Sequence, residues 1–398
     1  MNTLLNVNDN KIVSTQFKDL IENYWDICLG IISVLISFYF HKNGQGELAT
    51  LFAAIGIGAL SLTVAEIAEI LSSRLDEPYG SFVLTFSAVI VEIILLYIIL
   101  LQALTNPEVV DTVKGGIISA VIVDMNVLLG LAVFLGGLKF SEQQHNKETS
   151  SAYTTILLVT GISLIVPSLL NETEHSKEVL ENTSILIATA LFIFYIIIVI
   201  FQTKTHTHFF RQPLHNRSFR VKDKTCQINN EDNFSPDDSH NSEYIFEKFN
   251  NIGLIFSIFI FITIIAIGAE VFASDGIKLA KEYGVSSGIS GLIIAIVAVS
   301  PEIITAIKAA KNDEIQRVVN IAMGASTISI LITVPVLMIL AYLSGIRFVL
   351  DFNPMEIGAL LLTIILAWKT TEAGNTNYFE GIAHLMFFVA FTIIAAYY

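Results

Sequence analysis

The chain has 398 residues, of which 54% are hydrophobic and 15% charged, with 22 Lys and Arg against 36 Asp and Glu. A soluble domain would be about a quarter charged, and the mean hydropathy of +0.68 points the same way, so a mainly soluble chain is excluded. The formal charge of −14, with no basic face, argues against a nucleic-acid partner, and two cysteines, Cys28 and Cys226, suggest no disulfide framework.

Residues 1–23 lack the charged start, apolar stretch and small-residue site of a cleaved signal, so the first apolar run is expected to stay in the mature protein. Runs of about 20 apolar residues, long enough to cross the hydrocarbon core, follow one another along the chain. Open sheet edges would leave backbone groups unpaired in lipid, so the runs are helices. Spans are predicted near 25–41, 48–71, 80–104, 113–137, 152–170 and 183–202. After a polar interval they resume near 250–273, 286–309, 317–343, 355–371 and 379–397. The expected fold is an all-α polytopic membrane protein of about eleven helices. Residues 1–47 hold the tail and first helix, 48–202 helices two to six, 203–249 an acidic, histidine-containing loop, and 250–398 helices seven to eleven.

Placing the N-terminus and every second loop on one side puts sixteen Lys and Arg there: Lys11, Lys18, Arg74, Lys139, Lys147, seven in the long loop, Lys308, Lys311, Arg317 and Lys369. The other side holds six, namely Lys42, Lys114, Lys177, Lys278, Lys281 and Arg347. Positively charged loops stay inside. The N-terminus and long loop are therefore expected in the cytoplasm and the C-terminus outside.

The third and eighth spans share a pattern. Ala88-Val89-Ile90-Val91-Glu92-Ile93 and Ala298-Val299-Ser300-Pro301-Glu302-Ile303 both read Ala-Val-x-x-Glu-Ile. An odd-numbered and an even-numbered span cross in opposite directions, which makes the two halves an inverted repeat, the plan of many secondary transporters. Pro301 is expected to interrupt its helix, so the carbonyls of Ala88, Val89, Ala298 and Val299 are candidate ligands.

A carboxylate at the centre of a bilayer costs several kcal/mol, on estimates from about 2.5 upward. No Lys or Arg lies in the middle of a predicted span, so each glutamate must hold a proton or a cation. Both compete for the same oxygens, and that competition is the basis of antiport. Two carboxylates can neutralise one divalent ion, but Ca²⁺ takes about six to eight oxygen ligands. Supporting ligands are expected from Ser87, Ser300, Thr305, Ser326 and Thr327, and from Asp124 and Asn126 in the fourth span. Such hydroxyls more often bond their own helix. Glu66 and Glu69 share a helix face; with Glu270 and Asp275 they either line and gate the route or sit at helix ends. Asp26, Glu356 and Glu372 are expected at the interface.

Other signals carry less. His206, His208, His215 and His240 fall in the polar interval, which reads as a solvated linker before it reads as a sensor. Gly284-Val285-Ser286-Ser287-Gly288 fits a hydrolase turn, and Ser286 with His384 would make a membrane-embedded hydrolase. The segment opens a membrane helix, however, where capping is the expected role. There is no zinc or phosphate-loop motif, so no cofactor is expected. A cation channel is the remaining alternative, and a homo-oligomer is left open.

Taken in order, Arg74-Leu75-Asp76-Glu77-Pro78-Tyr79-Gly80-Ser81, Gly136-Gly137-Leu138-Lys139-Phe140, Gln202-Thr203-Lys204-Thr205-His206, Ser300-Pro301-Glu302, Gln316-Arg317, Asn320 and Thr333-Val334-Pro335-Val336 resemble the cation/proton exchangers of the calcium/cation antiporter superfamily. The ChaA-type calcium/sodium–proton branch is the most similar. The resemblance implies eleven spans, an extra first helix before a ten-helix inverted repeat, and a bacterial cytoplasmic membrane. It also implies that Glu92 and Glu302 bind Ca²⁺ and exchange protons. The wider family carries Gly-Asn-Ala before each acid; Ala88-Val89-Ile90 and Ala298-Val299-Ser300 stand here, which leaves room for Na⁺ or K⁺.

Overall fold

The computed structural model describes residues 24–75, 79–171, 177–206 and 245–397. Eleven helices among them are long and apolar enough to cross a membrane. In chain order they are α1 (Tyr24–Lys42), α2 (Gly46–Ser73), α3 (Tyr79–Leu101), α4 (Val109–Lys139), α5 (Lys147–Asn171) and α6 (Lys177–Ile200). After the long loop come α7 (Asn251–Glu282), α8 (Ser287–Lys311), α9 (Ile315–Leu343), α10 (Pro354–Thr371) and α11 (Tyr378–Tyr397). Every predicted span is present, and the seventh runs on to Glu282. The expectations for His208, His215, His240, Cys226 and Asp76-Glu77-Pro78 lie outside the described residues.

Local chemistry sets where the helices start. Asn250 accepts from the Gly253 N–H at 2.7 Å, and Ser286 accepts from the Ile289 N–H at 3.2 Å, so the glycine-flanked segment before α8 is a cap as expected. Asn353 and Glu356 close a capping box at the start of α10. The Glu356 side chain is buried among its neighbours in that first turn. Asp26 is likewise buried, because the Thr63 hydroxyl on α2 donates to it and draws α1 inward. Glu372 is exposed and pairs with Lys369 at 3.1 Å.

The helices form an inner group and an outer shell. In the apolar stretch of α4, 83% of residues are buried, against 22% in α6 and α11, whose outer faces carry large apolar side chains suited to lipid. α2 packs along α7, α4 crosses α8, α6 lies on α9 and α11 lies on α4. Glycines set the α4–α8 distance: a Cβ on Gly291 would stand 2.6 Å from the Gly116 nitrogen. Small residues at such a crossing let backbones approach where lipid offers no hydrophobic drive.

Irregular backbone sits in matching places. α4 runs as α-helix for 14 residues, Val109–Ile122, then passes through a π-helical stretch at Val123–Leu128. α9 does the same: 14 residues, Ile315–Ile328, and then a π-helical stretch at Ser329–Thr333. Such stretches are rare and concentrate at functional sites.

The interruption expected at Pro301 is absent, and α8 continues through it. Proline has no N–H to give the carbonyl four residues back. The Ser300 hydroxyl donates to that carbonyl, Val297 O, at 2.8 Å. The lost bond is replaced locally, as membrane helices allow.

Candidate functional site

Three carboxylates converge on the inner group. Glu92 comes from α3, Asp124 from the π-helical stretch of α4, and Glu302 from α8, one residue past Pro301. Asp124 lies within electrostatic reach of both glutamates, and the glutamates of each other. Glu92 and Asp124 are buried. None of the three takes part in an ion pair among the described residues; the buried ammonium of Lys114 is engaged by Asp111 at 2.7 Å and Asp351 at 2.6 Å.

Their partners come from one helix. Glu92 Oε2 accepts from the Ser329 hydroxyl at 2.9 Å and from the Thr333 hydroxyl at 3.3 Å, both on the π-helical stretch of α9. Asp124 Oδ2 accepts from the Ser326 hydroxyl at 3.1 Å, one turn earlier on α9. The second oxygens are different. Glu92 Oε1, Asp124 Oδ1 and Glu302 Oε2 are buried without a hydrogen-bond partner, and so is Thr327 Oγ1. Buried polar atoms are ordinarily satisfied, so a cluster of orphaned acceptors marks a place built for something else. Among the described residues no three His, Cys, Asp or Glu side chains close into a metal-binding group.

A small cavity opens beside Glu302, lined by Ser61, Ala65, Ser87, Ala88, Ala298 and Pro301 among others. It reaches from α2 to α8. Ser87 is therefore at the cavity, as is Ala88, whereas Val89 and Val299 are buried apolar positions.

The remaining candidates are dispersed. Ser300 serves the carbonyl freed by Pro301, and Thr305 donates to Pro301 O at 3.0 Å, so both hydroxyls serve their own helix. Asn126 donates to Ile122 O at 3.1 Å and to Thr363 Oγ1 at 2.9 Å, and its carbonyl faces His384. Its amide belongs to a network on α10 and α11. Glu69 is exposed and pairs with Arg317 at 2.5 Å, Glu270 is exposed, and Glu66 is half-buried next to the cavity-lining Ala65. Asp275 is buried and pairs with His41 of α1 at 2.7 Å. Ser286 donates to Ala395 O at 2.6 Å while His384 Nε2 meets Thr370 at 3.0 Å, so the two are not paired as nucleophile and base.

Ser329 and Thr333 were not among the candidates. The signal was present: Ser326, Ser329 and Thr333 recur at i, i+3 and i+7, one face of a helix.

The sodium/calcium exchanger protein family model matches residues 47–204 and 253–397. The sodium-potassium/proton antiporter ChaA of Escherichia coli is 27% identical over 344 residues, covering 86% of this chain and 87% of that protein. A Ca²⁺/H⁺ antiporter of Synechocystis is 25% identical over 357 residues, covering 87% and 90%. In fold, the structure of native YfkE matches with a TM-score of 0.74 at 19% identity, over 94% of this chain and all of that one. An H⁺/Ca²⁺ exchanger CAX structure matches with a TM-score of 0.67 at 13% identity, over 95% and 91%. The fold is thus shared with those structures, and the chain belongs to the sodium/calcium exchanger protein family.

Proposed function

We propose that this chain is a secondary antiporter that exchanges Ca²⁺, Na⁺ or K⁺ for protons, with Glu92 and Glu302 carrying both. The observation that carries the proposal is the set of buried, partnerless oxygens on Glu92, Asp124 and Glu302 in an apolar bundle, with no side-chain cation paired to them among the described residues. Such oxygens stay inside a membrane when occupied by a proton or an ion. The names of the relatives, a sodium-potassium/proton antiporter and a Ca²⁺/H⁺ antiporter, support the same cargo.

The cation is cargo held for part of a cycle. Hard ions take carboxylate, hydroxyl, carbonyl and water oxygens together, and Thr327 Oγ1, Ser87 and water from the cavity complete the set in this reading. On proton arrival the carboxyl groups are neutralised and the ion leaves; with cation bound, the protons leave instead. α2–α6 and α7–α11 act as the two inverted halves, a division supported by the matching π-helical stretches of α4 and α9. The N-terminus and long loop lie in the cytoplasm, following the Lys and Arg bias.

Inside-out vesicles test the reading. Added Ca²⁺, Na⁺ or K⁺ should dissipate an imposed ΔpH, and an imposed cation gradient should in turn drive proton movement. Glu92→Gln and Glu302→Gln should each abolish both responses. Full exchange in either variant removes the two-carboxylate mechanism, while ion flux without proton coupling would identify a channel.

A further inference from the structure

His384, in the outer helix α11, is fully buried at 0% exposure, and the exchange mechanism above makes no use of it. Two glycines bring it inward. A Cβ on Gly130 would stand 2.9 Å from the His384 Cβ, and one on Gly381 would stand 2.7 Å from Gly130 O, so α4 and α11 meet nearly backbone to backbone. One helical turn before Gly130 is Asn126, inside the π-helical stretch of α4 and two residues after Asp124.

The hydrogen bonds of this cluster can be oriented by elimination. Asn126 Nδ2 faces Ile122 O at 3.1 Å and Thr363 Oγ1 at 2.9 Å. A main-chain carbonyl only accepts, so the amide nitrogen must lie on that side. The Asn126 Oδ1 that remains also only accepts, so His384 Nδ1, at 3.0 Å, carries a hydrogen and donates it. In the neutral ring Nε2 is then an acceptor, and the Thr370 hydroxyl at 3.0 Å donates to it. One chain of bonds thus runs from α10 through α11 to α4, with Asn126, Thr363, Thr370 and His384 all buried.

We propose that His384 is a positioning residue: through Asn126 it holds the π-helical stretch of α4 in the form that presents Asp124 to the cation. A π-helical stretch is a rare departure from the α-helical pattern, and here the side chain of Asn126 inside it bonds to its own helix, to α10 and to α11. Asn126 supplies the local clamp to Ile122 O, and His384 fixes which way that clamp faces. The inference rests on the antiport reading in taking Asp124 as part of the cation site.

The test is the half-saturating cation concentration for ΔpH dissipation, measured on the full chain in vesicles. Positioning partners of ion ligands are worth roughly tenfold or more in affinity. His384→Leu, which fills the space without the donor, should raise half-saturation roughly tenfold with a smaller change in maximal rate. His384→Asn places an amide nitrogen where Nδ1 stands and should recover most of that loss, whereas His384→Gln reaches the Nε2 side and should not. Asn126→Leu combined with His384→Leu should be no worse than Asn126→Leu alone, because the two act as one unit.

A His384→Leu protein that is folded and has wild-type half-saturation overturns the proposal. So does rescue by Gln equal to rescue by Asn, which would leave only a packing role. Should the Leu variant not fold, the Asn and Gln pair makes the same comparison. Exchange surviving in Glu92→Gln would sink the antiport reading; if Glu92→Gln silences exchange while the His384 variants, made in the wild-type background, keep wild-type half-saturation, only this inference falls.

Discussion

Glu92 and Glu302 occupy the same pattern on α3 and α8, yet their surroundings differ. The π-helical stretch of α9 touches α3 and brings two hydroxyls to Glu92, while the matching stretch of α4 touches α8 and brings none to Glu302. Aligning the two stretches by their equal 14-residue approaches sets Val123 against Ser329 and Val127 against Thr333. Where one half has hydroxyl donors, the other has valines. The acid in the valine-bearing stretch, Asp124, falls against Ile330. A site with its donors on one side and its extra charge on the other need not treat its two glutamates alike. Repeated backbone geometry can therefore hold a chemically lopsided site.

Removing the extra charge should have the largest effect. Asp124→Asn keeps the shape of the side chain and its contact with Ser326 but deletes the negative group that the proposed site would offer the ion. Half-saturation for Ca²⁺ is expected to rise roughly tenfold or more, the equivalent of about 1.4 kcal/mol, and more than for Na⁺ or K⁺. Equal responses to all three cations in the vesicle assay would break the link between that carboxylate and divalent charge.

Stripping the donors should matter less. Ser329→Ala with Thr333→Val leaves Glu92 without hydroxyls, as Glu302 already is. Hydrogen bonds to a charged group contribute about 1.5–3 kcal/mol at most, and because bound cation takes over part of that role, a rise of about three- to tenfold in half-saturation is expected. Placing Ser and Thr at Val123 and Val127 tests the same asymmetry from the other side. If the double α9 variant were indistinguishable from wild type, the contrast between the glutamates would carry no functional weight.

The smallest effect belongs to the mouth of the bundle. Arg317 pairs with Glu69 at 2.5 Å, but both side chains are more than one-third exposed. Exposed pairs contribute about 0.2–1 kcal/mol and are screened by salt, so Arg317→Gln should change half-saturation about twofold or less. A change comparable to Asp124→Asn would show that the pair is a gate and that the acids of α2 belong to the site.

How much of this protein is legible in its sequence differs from layer to layer. The eleven spans were legible because lipid leaves the backbone only one way to satisfy itself, and apolar length records it. Glu92 and Glu302 stood out because charge is rare in such segments, and the Ala-Val-x-x-Glu-Ile repeat tied them together. The hydroxyls were harder. Ser300 and Thr305, next to the acids in sequence, serve their own helix, while Ser329 and Thr333, far away in sequence, serve Glu92. Pro301 misled for a related reason: its effect depended on whether Ser300 would replace the missing bond, and rotamer and crossing angle decide that.

By itself, then, the sequence determined the number of helices, the two acids within apolar spans and the pattern they share, which stand out because polar groups in hydrocarbon are costly. Only the tertiary structure decided which helix faces which: that α9 supplies the hydroxyls, that Asp124 comes within electrostatic reach of the glutamates from a π-helical stretch, and that glycines at the α4–α8 and α4–α11 crossings let those backbones approach closely. Those choices depend on how side chains interlock between helices, and packing of that kind leaves no periodic trace along the chain.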